Sequence, residues 1–394
     1  MCGIGGVFSW SETGAFDATR TAADLCAALA HRGPDGEGIF TDRGLLFVHR
    51  RLAIIDPTPG GHQPMTTPDG RYCIVYNGEI YNYRELRADL ERAGVRFVSS
   101  SDTEVLLALI VRDGIAALSR ARGMFALAVW DGFERSLTVA RDRFGIKPLY
   151  VAARAGRVAF ASEIAALRRA SLVDREVSAA GVLSFLAWNF IPPPLTWLRG
   201  VESLRPGTWI RWREGGRTEA GTFADFTAIY EDHPPVTEDE LRAQAREAIR
   251  DSVAAHLVSD VPVGIFLSGG IDSAAVVASA RAAVTGRLHT YTVAGDVPSM
   301  SEIEPARQVA MFFETTHHEL MIGAGAIERA LPSIIRRLDA PSADAINSYS
   351  CHRRSRRLVS RPCCRALAAT RCSAAIRASS AFPRRCARPD GWRP

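Results

Sequence analysis

Lysine is almost absent from this sequence, since Lys147 is the only lysine among its 48 basic side chains. Arginine in place of lysine, with abundant alanine, glycine and proline, is typical of GC-rich codons. This bias therefore reflects the base composition of the genome before it says anything about function. The sequence also lacks any apolar run near the ~20 residues that a membrane helix needs, and it has no secretory signal at its start. We therefore expect a cytoplasmic protein without a membrane partner, in which disulfides are disfavoured.

Acidic residues are scarce in one region only, the tail. Residues 353–394 contain twelve arginines and a single acid, Asp390, which gives them a net charge of +11 within a chain of net charge +5. Five of the eight cysteines also fall between residues 351 and 386. A tail so unlike the rest needs its own explanation, either as a basic surface for nucleic acid or an acidic partner, or as a product without function.

The second residue is the first candidate for chemistry. If Met1 is removed, Cys2 becomes the N-terminus and carries a nucleophilic sulfur beside a free α-amine, which can act as its base. Glycines at positions 3, 5 and 6 leave the backbone bare, so a substrate carbonyl can approach closely. The alternative is a free thiol at a frayed chain end.

The length and the spacing of apolar residues suggest two domains. Short apolar strands with glycine and proline turns dominate residues 1–190, which predicts stacked sheets covered by helices. After a connector at residues 191–235, strands and helices alternate through residues 236–350, which predicts a parallel sheet with crossover helices. The strand predictions are 45–48, 72–76, 125–130, 137–140, 263–267, 290–293 and 318–322, and the helix predictions are 83–93, 103–111, 274–283 and 303–313. A further helix is predicted after Thr237 and Glu240, which form a capping box, because apolar residues recur at helical spacing from 241 to 257.

Polar residues that can grip and cleave an amide follow the predicted strands. Asn77 and Gly78 can supply a side-chain amide and a backbone N–H to an oxyanion hole. Arg51 can hold a carboxylate with two hydrogen bonds, and Glu79 and Asp102 can receive an ammonium group. A substrate with a carboxylate, an α-ammonium group and a side-chain amide is glutamine. Taken singly, these residues have plainer interpretations: a hairpin turn for Asn-Gly, a helix N-cap for Asp102 and a surface position for Arg51.

Seven motifs in a fixed order place these residues in a common context. They are Cys2–Gly6 (CGIGG), His31–Asp35 (HRGPD), Arg51–Asp56 (RLAIID), Tyr76–Asn82 (YNGEIYN), Ser101–Glu104 (SDTE), Arg122–Ala126 (RGMFA) and Arg141–Tyr150 (RDRFGIKPLY). This series strongly resembles the glutamine-hydrolysing (class B) asparagine synthetases, over about residues 1–350.

The resemblance implies an α+β N-terminal-nucleophile fold with four αββα layers, followed by a truncated α/β domain of the ATP-pyrophosphatase type with a parallel sheet. It also implies a set of roles: Cys2 as the glutaminase nucleophile, Asn77 and Gly78 as the oxyanion hole, Arg51 for the glutamine carboxylate, and Glu79 and Asp102 for its amino group. Lys147, in the last motif, is interpreted as structural rather than catalytic.

A second site is predicted where a buried strand meets a helix. The stretch Ser268–Ser273 (SGGIDS) offers glycine N–H groups, a helix N-terminus and hydroxyls, which suit phosphate. It has neither the Walker nor the dinucleotide-binding spacing, but it resembles the pyrophosphate-binding loop of ATP-pyrophosphatases. The predicted ATP-binding residues are Leu267, Ser268, Gly269, Gly270, Asp272, Ser273 and Val293, the first and last as adenine contacts by resemblance.

Two features bear on metal binding. Asp272 is predicted to hold Mg²⁺ beside the phosphates. His317 and His318 are neighbours on a predicted strand and therefore point to opposite faces, which argues against a shared metal ion.

The tail departs from the family pattern. After about residue 360 the family has a second motif, Ser-Gly-x-Gly-Gly-Asp-Glu-x-Phe-x-Gly-Tyr, whose acidic pair serves Mg²⁺-pyrophosphate and aspartate chemistry, and this sequence lacks it. A one-base shift of the reading frame allows residues 365–378 to be decoded as that motif. We therefore expect a frame change near Tyr349–Ser350 and an out-of-frame, prematurely stopped tail at residues 351–394, which does not favour a nucleic-acid partner.

These inferences converge on ATP-dependent asparagine synthesis from aspartate, with glutamine as nitrogen donor and with ATP and Mg²⁺. The glutaminase half is complete in sequence, whereas the synthetase half is expected to be impaired. Two alternatives stay open: an amidotransferase of the same architecture that acts on another carboxylate, and a truncated gene product without function. A homodimer is compatible with the resemblance.

Overall fold

The computed structural model describes residues 1–154, 156–225, 236–295, 302–342 and 365–367. Most of the predicted tail, and the predicted frame change at Tyr349–Ser350, lie outside the described residues. The described residues of Met1–Ala224, Ser259–Pro262 and Ile322–Arg365 form one compact unit, and those of Asp225–Val258, Val263–Met321 and Ala366–Pro394 form a second.

The elements are numbered in chain order. The strands are β1 Gly3–Ser9, β2 Gly36–Asp42, β3 Leu45–Arg51, β4 Met65–Thr66, β5 Tyr72–Ile80, β6 Gly123–Asp131, β7 Ser136–Arg141, β8 Tyr150–Arg154, β9 Arg157–Ala161, β10 Glu202–Ser203, β11 Thr208–Arg213, β12 Thr218–Thr222, β13 Val263–Phe266, β14 His289–Gly295, β15 Thr316–Ile322 and β16 Arg365–Leu367. The α-helices are α1 Ala18–Leu29, α2 Tyr83–Arg92, α3 Asp102–Asp113, α4 Ile164–Arg169, α5 Ala179–Trp188, α6 Glu238–His256, α7 Ile271–Ala283, α8 Ile303–Phe312 and α9 Ala324–Arg337.

Two six-stranded antiparallel sheets form the centre of the first unit. Their strand orders are β10-β8-β9-β1-β3-β2 and β12-β11-β7-β6-β5-β4. Large apolar side chains fill the space between them, with Phe8, Phe47 and Phe160 from one sheet and Trp130 and Val139 from the other. Burying each such side chain stabilises the fold by ~1.5–3 kcal/mol, so this layer is a major source of stability.

Helices cover the outer faces of both sheets. On the first sheet, α1 and α4 place Leu25, Leu29 and Leu167 against Val7 and Val48. On the second sheet, α3 packs against β5, and α2 packs against α3. The predicted four-layer αββα arrangement is therefore confirmed. Strands β6 and β7 are buried along nearly their whole length, as their continuous apolar sequence predicts for strands covered on both faces.

Part of the stretch predicted as a connector contributes to these sheets. Strands β10 to β12 lie within residues 191–235; β10 pairs with β8, and β11 pairs with β7. They form the edge of each sheet farthest from β2 and β4. The first unit therefore continues past residue 190.

The second unit is built around a parallel sheet. Strands β13 and β14 are parallel, with Ile265 opposite Thr290, and the four-stranded order is β15-β14-β13-β16. A small core that includes Val253, Ile265 and Val277 joins α6 and α7 to the sheet. The predicted alternation of parallel strands and helices is confirmed. Strand β16 is the only part of residues 351–394 that the structure describes.

Membrane spans were sought among the same residues. None of the described helices combines the length and the apolar character that crossing a membrane requires.

Candidate active site

The residues predicted for glutamine chemistry come together at one pocket of the first unit. The thiol residue directly precedes β1, Arg51 ends β3, Asn77 to Glu79 lie near the end of β5, and Asp102 begins α3. The pocket contains about 440 Å³ of empty space including its open mouth. Its lining residues are Met1, Cys2, Arg51, Leu52, Ile54, Ile55, Gly61, Gln63, Tyr76, Asn77, Gly78, Glu79, Ser101, Asp102, Thr103 and Lys147.

The Cys2 thiol is held by the backbone of the loop after β3. The Leu52 N–H donates to Sγ at 3.3 Å, and the thiol in turn faces the Leu52 carbonyl at 3.6 Å. The other two described cysteines, Cys26 and Cys73, are buried, and burial raises the pKa of the Cys26 thiol to about 11 and that of Cys73 further. Because the thiolate is the nucleophilic form, these two are less suited to catalysis. Among the described cysteines, only Cys2 is both partly exposed and in the pocket.

Arg51 is a pocket residue rather than a surface residue. It is 9 % exposed, and its guanidinium donates to the carbonyls of Thr58, at 2.8 Å, and Asp56. A side chain at Gly61 would collide with this guanidinium, so the loop passes close to Arg51 only because residue 61 is glycine. The surface interpretation of Arg51 is wrong, because β3 ends inside the fold.

Asn77 and Gly78 lie inside strand β5, so the hairpin-turn interpretation is wrong and the predicted strand 72–76 stopped four residues short. Asn77 is 1 % exposed, and neither the nitrogen nor the oxygen of its amide has a hydrogen-bond partner among the described residues. A Cβ at Gly78 would press on the Met124 carbonyl oxygen and lie 2.7 Å from the Phe125 Cβ. Position 78 can therefore offer only backbone groups to a ligand.

Asp102 and Glu79 form the acidic side of the pocket, and both are buried. One Asp102 carboxylate oxygen accepts hydrogen bonds from the Tyr76 hydroxyl and the Ile80 N–H, both at 3.0 Å. Burial raises the pKa of Asp102 to about 7, and the negative charge of Glu79 also acts to raise it. The N-cap of α3 is Ser101, whose hydroxyl accepts from the Thr103 N–H at 3.2 Å. Asp102 follows the cap, so the N-cap interpretation was wrong by one residue.

The sequence analysis missed several residues that line the pocket. Gln63 accepts from the Tyr76 N–H at 2.7 Å and donates to the Thr103 hydroxyl at 3.1 Å, which fixes the wall beside Asp102. Lys147 is 3 % exposed and also lines the pocket; that it is structural rather than catalytic stays a prediction. Nothing in the local sequence marks Gln63, because its importance comes only from the strands that meet there.

The predicted phosphate loop connects β13 to α7 in the second unit. Its hydroxyls bond within the loop: Ser268 Oγ and Ser273 Oγ are 3.1 Å apart, and the Ser273 hydroxyl donates to the Gly270 carbonyl at 3.0 Å. Gly269 has φ +77, and a Cβ there would lie 2.6 Å from the Pro305 Cβ. The loop therefore needs glycine at position 269 both for its backbone and for its contact with α8.

The remaining predicted nucleotide residues flank this loop. Leu267 is 1 % exposed, its N–H donates to the Tyr291 carbonyl at 2.9 Å, and Val293 lies on the neighbouring strand β14. Asp272 is exposed at the first turn of α7. The described residues contain no cluster of three or more His, Cys, Asp or Glu side chains that could hold a metal. They fit Mg²⁺ only as an ion held mainly by phosphates, with Asp272 as a single protein ligand.

The two neighbouring histidines of β15 have different surroundings. His317 Nδ1 lies 2.9 Å from the Thr290 hydroxyl, whereas the His318 ring stacks on Tyr291 at 4.8 Å and on His289 at 5.5 Å. Burial lowers the pKa of both rings. The prediction that they point to opposite faces is confirmed.

Comparison with known families agrees with this architecture. Residues 1–223 match the glutamine amidotransferase domain, which defines the class of the first unit. Residues 244–360 match asparagine synthase. The chain belongs to the family of glutamine-hydrolysing asparagine synthetases.

Individual relatives are consistent with that assignment. The chain is 38 % identical over 349 residues to glutamine-hydrolysing asparagine synthetase 1 of Bacillus subtilis strain 168, covering 87 % of this chain and 54 % of the relative. It is 31 % identical over 337 residues to asparagine synthetase B of Escherichia coli K12, covering 81 % and 54 %. The chain thus spans about half the length of these relatives. Among solved structures, the glutamine phosphoribosylpyrophosphate amidotransferase of B. subtilis superimposes with a TM-score of 0.43 and 17 % identity over 81 % of each chain.

Proposed function

We propose that this chain hydrolyses glutamine to glutamate and ammonia at Cys2. The observation that carries the proposal is the Asn77 amide, which is buried without a hydrogen-bond partner in the described part of the chain and lines the same pocket as the thiol. An unpaired buried amide lowers the stability of a protein by ~1–3 kcal/mol. Folded proteins therefore retain one mainly where a bound ligand supplies the missing hydrogen bonds. An oxyanion forming beside Cys2 is such a ligand.

Each polar end of glutamine has a matching group in the pocket. Arg51 would turn from the two loop carbonyls to the substrate carboxylate, and Asp102 with Glu79 would receive the α-ammonium group. Removal of Met1, which itself lines the pocket, would free the α-amine of Cys2. That amine would accept the thiol proton, directly or through one water.

The reaction then follows from these positions. The thiolate attacks the side-chain amide carbon, and the oxyanion accepts hydrogen bonds from the Asn77 Nδ2 and the Gly78 N–H. The proton held by the α-amine passes to the leaving nitrogen, which departs as ammonia and leaves a thioester on Cys2. Water attacks the thioester, releases glutamate and restores the thiol.

The test is a glutaminase assay on the purified chain, with the N-terminal residue identified by intact mass. We expect glutamate release that Cys2→Ala abolishes, with a rate loss of ~10³-fold or more. Cys26→Ala, which removes a buried thiol outside the pocket, serves as the control. Glutamate release that continues unchanged in Cys2→Ala would contradict the proposal.

For the second unit, we propose that it derives from a synthetase domain, which uses ATP to transfer this ammonia to aspartate. The support is the strand–loop–helix geometry of Ser268–Ser273 together with the names of the relatives. The loop N–H groups and hydroxyls would bind the phosphates of ATP, Leu267 and Val293 would contact the adenine, and Asp272 would hold Mg²⁺. Mg²⁺ would neutralise phosphate charge while aspartate becomes an acyl-adenylate and pyrophosphate leaves.

We further propose that the chain as given makes little or no asparagine, because residues 351–394 stand where the family has its second motif. The reading-frame hypothesis is tested by the DNA of codons 345–380. An intact frame that encodes this tail, with no family motif in the neighbouring frame, would reject it. Asparagine formed by the purified chain from glutamine, aspartate and ATP would show that the synthetase half works.

A further inference from the structure

Two carboxylates that lie outside the glutamine amidotransferase match at residues 1–223 make hydrogen bonds beside the glutamine pocket. Asp260 and Asp339 both fall within the asparagine synthase match. In the structure, however, both belong to the same compact unit as the pocket. Their contacts can therefore be compared directly with those of the pocket residues.

Asp339 follows α9 and caps the N-terminus of α4. Its two carboxylate oxygens accept hydrogen bonds from the Ile164 N–H at 2.9 Å and the Ala165 N–H at 2.7 Å. Its backbone carbonyl accepts from the Trp197 indole N–H at 2.6 Å. A carboxylate on two N–H groups of a helix N-terminus is a charge-assisted interaction, so this contact fixes the start of α4.

The start of α4 is in turn connected by hydrogen bonds to the main chain of Cys2. The residue before α4 is Glu163, whose Oε1 accepts from Arg32 Nη1 at 2.8 Å. Arg32 Nε donates to the backbone carbonyl of Cys2 at 2.9 Å. Arg32 and Glu163 are both buried, so this ion pair is little screened by solvent. Asp339 is therefore connected through α4, Glu163 and Arg32 to the main chain of Cys2.

Asp260 makes a reciprocal pair of hydrogen bonds with the loop after β3. Its carboxylate accepts from the Asp56 N–H at 2.8 Å, and its own N–H donates to the Ile54 carbonyl at 3.1 Å. Asp56 has φ +48, a left-handed conformation that costs an L-residue ~1–2 kcal/mol unless its surroundings hold it.

Asp56 contacts both Arg51 and the segment that precedes Asp102. Its carbonyl accepts from the Arg51 guanidinium, and its carboxylate accepts from the Ser100 N–H at 3.0 Å, two residues before Asp102. A displaced Asp56 would therefore change the groups proposed to hold the carboxylate and the ammonium of glutamine. The hydrogen bonds of Asp260 go to Asp56 and Ile54, on the loop that carries the glutamine-binding groups, so its effect should fall on substrate binding.

We propose that Asp339 and Asp260 are positioning residues of the glutaminase site, Asp339 for the nucleophile and Asp260 for the loop that carries the glutamine-binding groups. The inference rests on the proposed glutaminase function. It makes the glutamine pocket dependent on residues beyond the glutamine amidotransferase domain. It also assigns a different kinetic constant to each carboxylate: Asp339 affects kcat, and Asp260 affects KM.

The test uses the full chain with Asp339→Asn and Asp260→Asn. Each amide keeps the size of the side chain but loses its charge and one acceptor oxygen. Asp174→Asn is the control, because Asp174 lies on the surface paired with Arg154. For Asp339→Asn we expect kcat for glutamine hydrolysis to fall about tenfold with KM within about twofold. For Asp260→Asn we expect KM to rise about fivefold with kcat within about twofold.

Hydrogen exchange provides a readout that needs no turnover. We expect the amides of Ile164 and Ala165 to exchange faster only in Asp339→Asn, and the amide of Asp56 faster only in Asp260→Asn. Unchanged exchange at these amides, or equal losses in kcat and KM that track a lower unfolding temperature in both variants, would overturn the proposal. If the parent chain releases no glutamate, the proposed function fails, and the exchange rates alone then decide whether the two carboxylates hold these backbones.

Discussion

The pocket around Cys2 and the Ser268–Ser273 loop differ in how their polar groups are hydrogen-bonded. In the pocket, the Asn77 amide is buried without a partner among the described residues, and burial raises the pKa of Asp102 to about 7. In the loop, the hydroxyls of Ser268 and Ser273 already bond to each other and to the loop backbone. Ser268 and Asp272 are exposed to solvent.

This difference follows from how each site is built. Arg51, Asn77 and Glu79 stand on strands of the sandwich, which hold them in place even where no described residue is a hydrogen-bond partner. The loop follows β13 of a small sheet, and its conformation is set by its own hydrogen bonds and by a glycine. A pocket side chain without a hydrogen-bond partner among the described residues, such as Asn77, can therefore be removed at a cost in chemistry with little cost in stability, whereas the loop glycine at position 269 affects conformation first.

The largest expected effect is on Asn77. Asn77→Ala should lower kcat for glutamine hydrolysis by ~10²–10³-fold, because one oxyanion donor is lost. The free energy of unfolding should change by less than ~1 kcal/mol, since the Asn77 amide makes no hydrogen bond with the described residues. Gln63→Ala is the matched variant for stability: its buried amide bonds the Tyr76 N–H and the Thr103 hydroxyl, so it should lose ~1–3 kcal/mol in chemical denaturation. Equal destabilisation by both substitutions would remove the contrast.

A pH effect should follow from Asp102. Because its pKa is raised to about 7, the carboxyl is protonated below that pH and cannot pair with the ammonium group of glutamine. KM for glutamine should therefore rise by up to ~10-fold per pH unit as the pH falls below 7, and Asp102→Asn should have a high KM without this dependence.

The same raised pKa has a consequence for stability. The folded protein binds a proton at Asp102 that the unfolded chain releases near its ordinary value, so Asp102 makes the free energy of unfolding fall as the pH rises from about 4 to 7. Denaturation of the parent and Asp102→Asn across this range measures the difference. A KM that stays constant between pH 5.5 and 8 would show that Asp102 does not hold the ammonium group.

The loop can be tested with two neighbouring glycines. Gly269→Ala should lower the free energy of unfolding by ~2 kcal/mol or more, because of the positive φ and the contact with Pro305. Gly270→Ala should change it by no more than ~0.5 kcal/mol, since φ there is −73 and the nearest atom to a new Cβ is the Ser268 Oγ at 3.4 Å. Chemical denaturation gives both values, and ATP-dependent shifts in unfolding temperature report on the loop. Equal tolerance of alanine at both positions would contradict the described backbone.

The smallest expected effect concerns the cap of α3. Ser101→Ala should cost ~1 kcal/mol of stability and raise KM for glutamine severalfold, because the helix that begins with Asp102 loses its N-cap. Ser178→Ala removes the N-cap of α5, whose hydroxyl accepts from the Gly181 N–H at 3.2 Å. It should cost a similar amount of stability with no change in KM. The two denaturation curves and the two KM values together separate a local effect on Asp102 from general destabilisation.

The sequence was sufficient for the elements with strong local signals. The Thr237 and Glu240 capping box is present at α6 with both hydrogen bonds, and α2 and α3 lie within two residues of the predicted helices. The strand through Asn77 and Gly78 was cut short, because an Asn-Gly pair is a turn signal locally and only pairing with β6 keeps it extended. The predicted connector likewise contained β10 to β12, whose short sequences carry little periodicity.

What the sequence determined by itself was the set of chemical groups and their order along the chain: a thiol at position 2, the arginine at 51, the amide at 77 and the carboxylates at 79 and 102. Residue type and local spacing are enough for that. Tertiary structure alone decided that these groups face one pocket, that the Asn77 amide has no partner there among the described residues, and that burial shifts the pKa of Asp102. It also brought Asp260 and Asp339 beside the same site. Burial and long-range pairing depend on elements distant in sequence, so no local pattern could supply them.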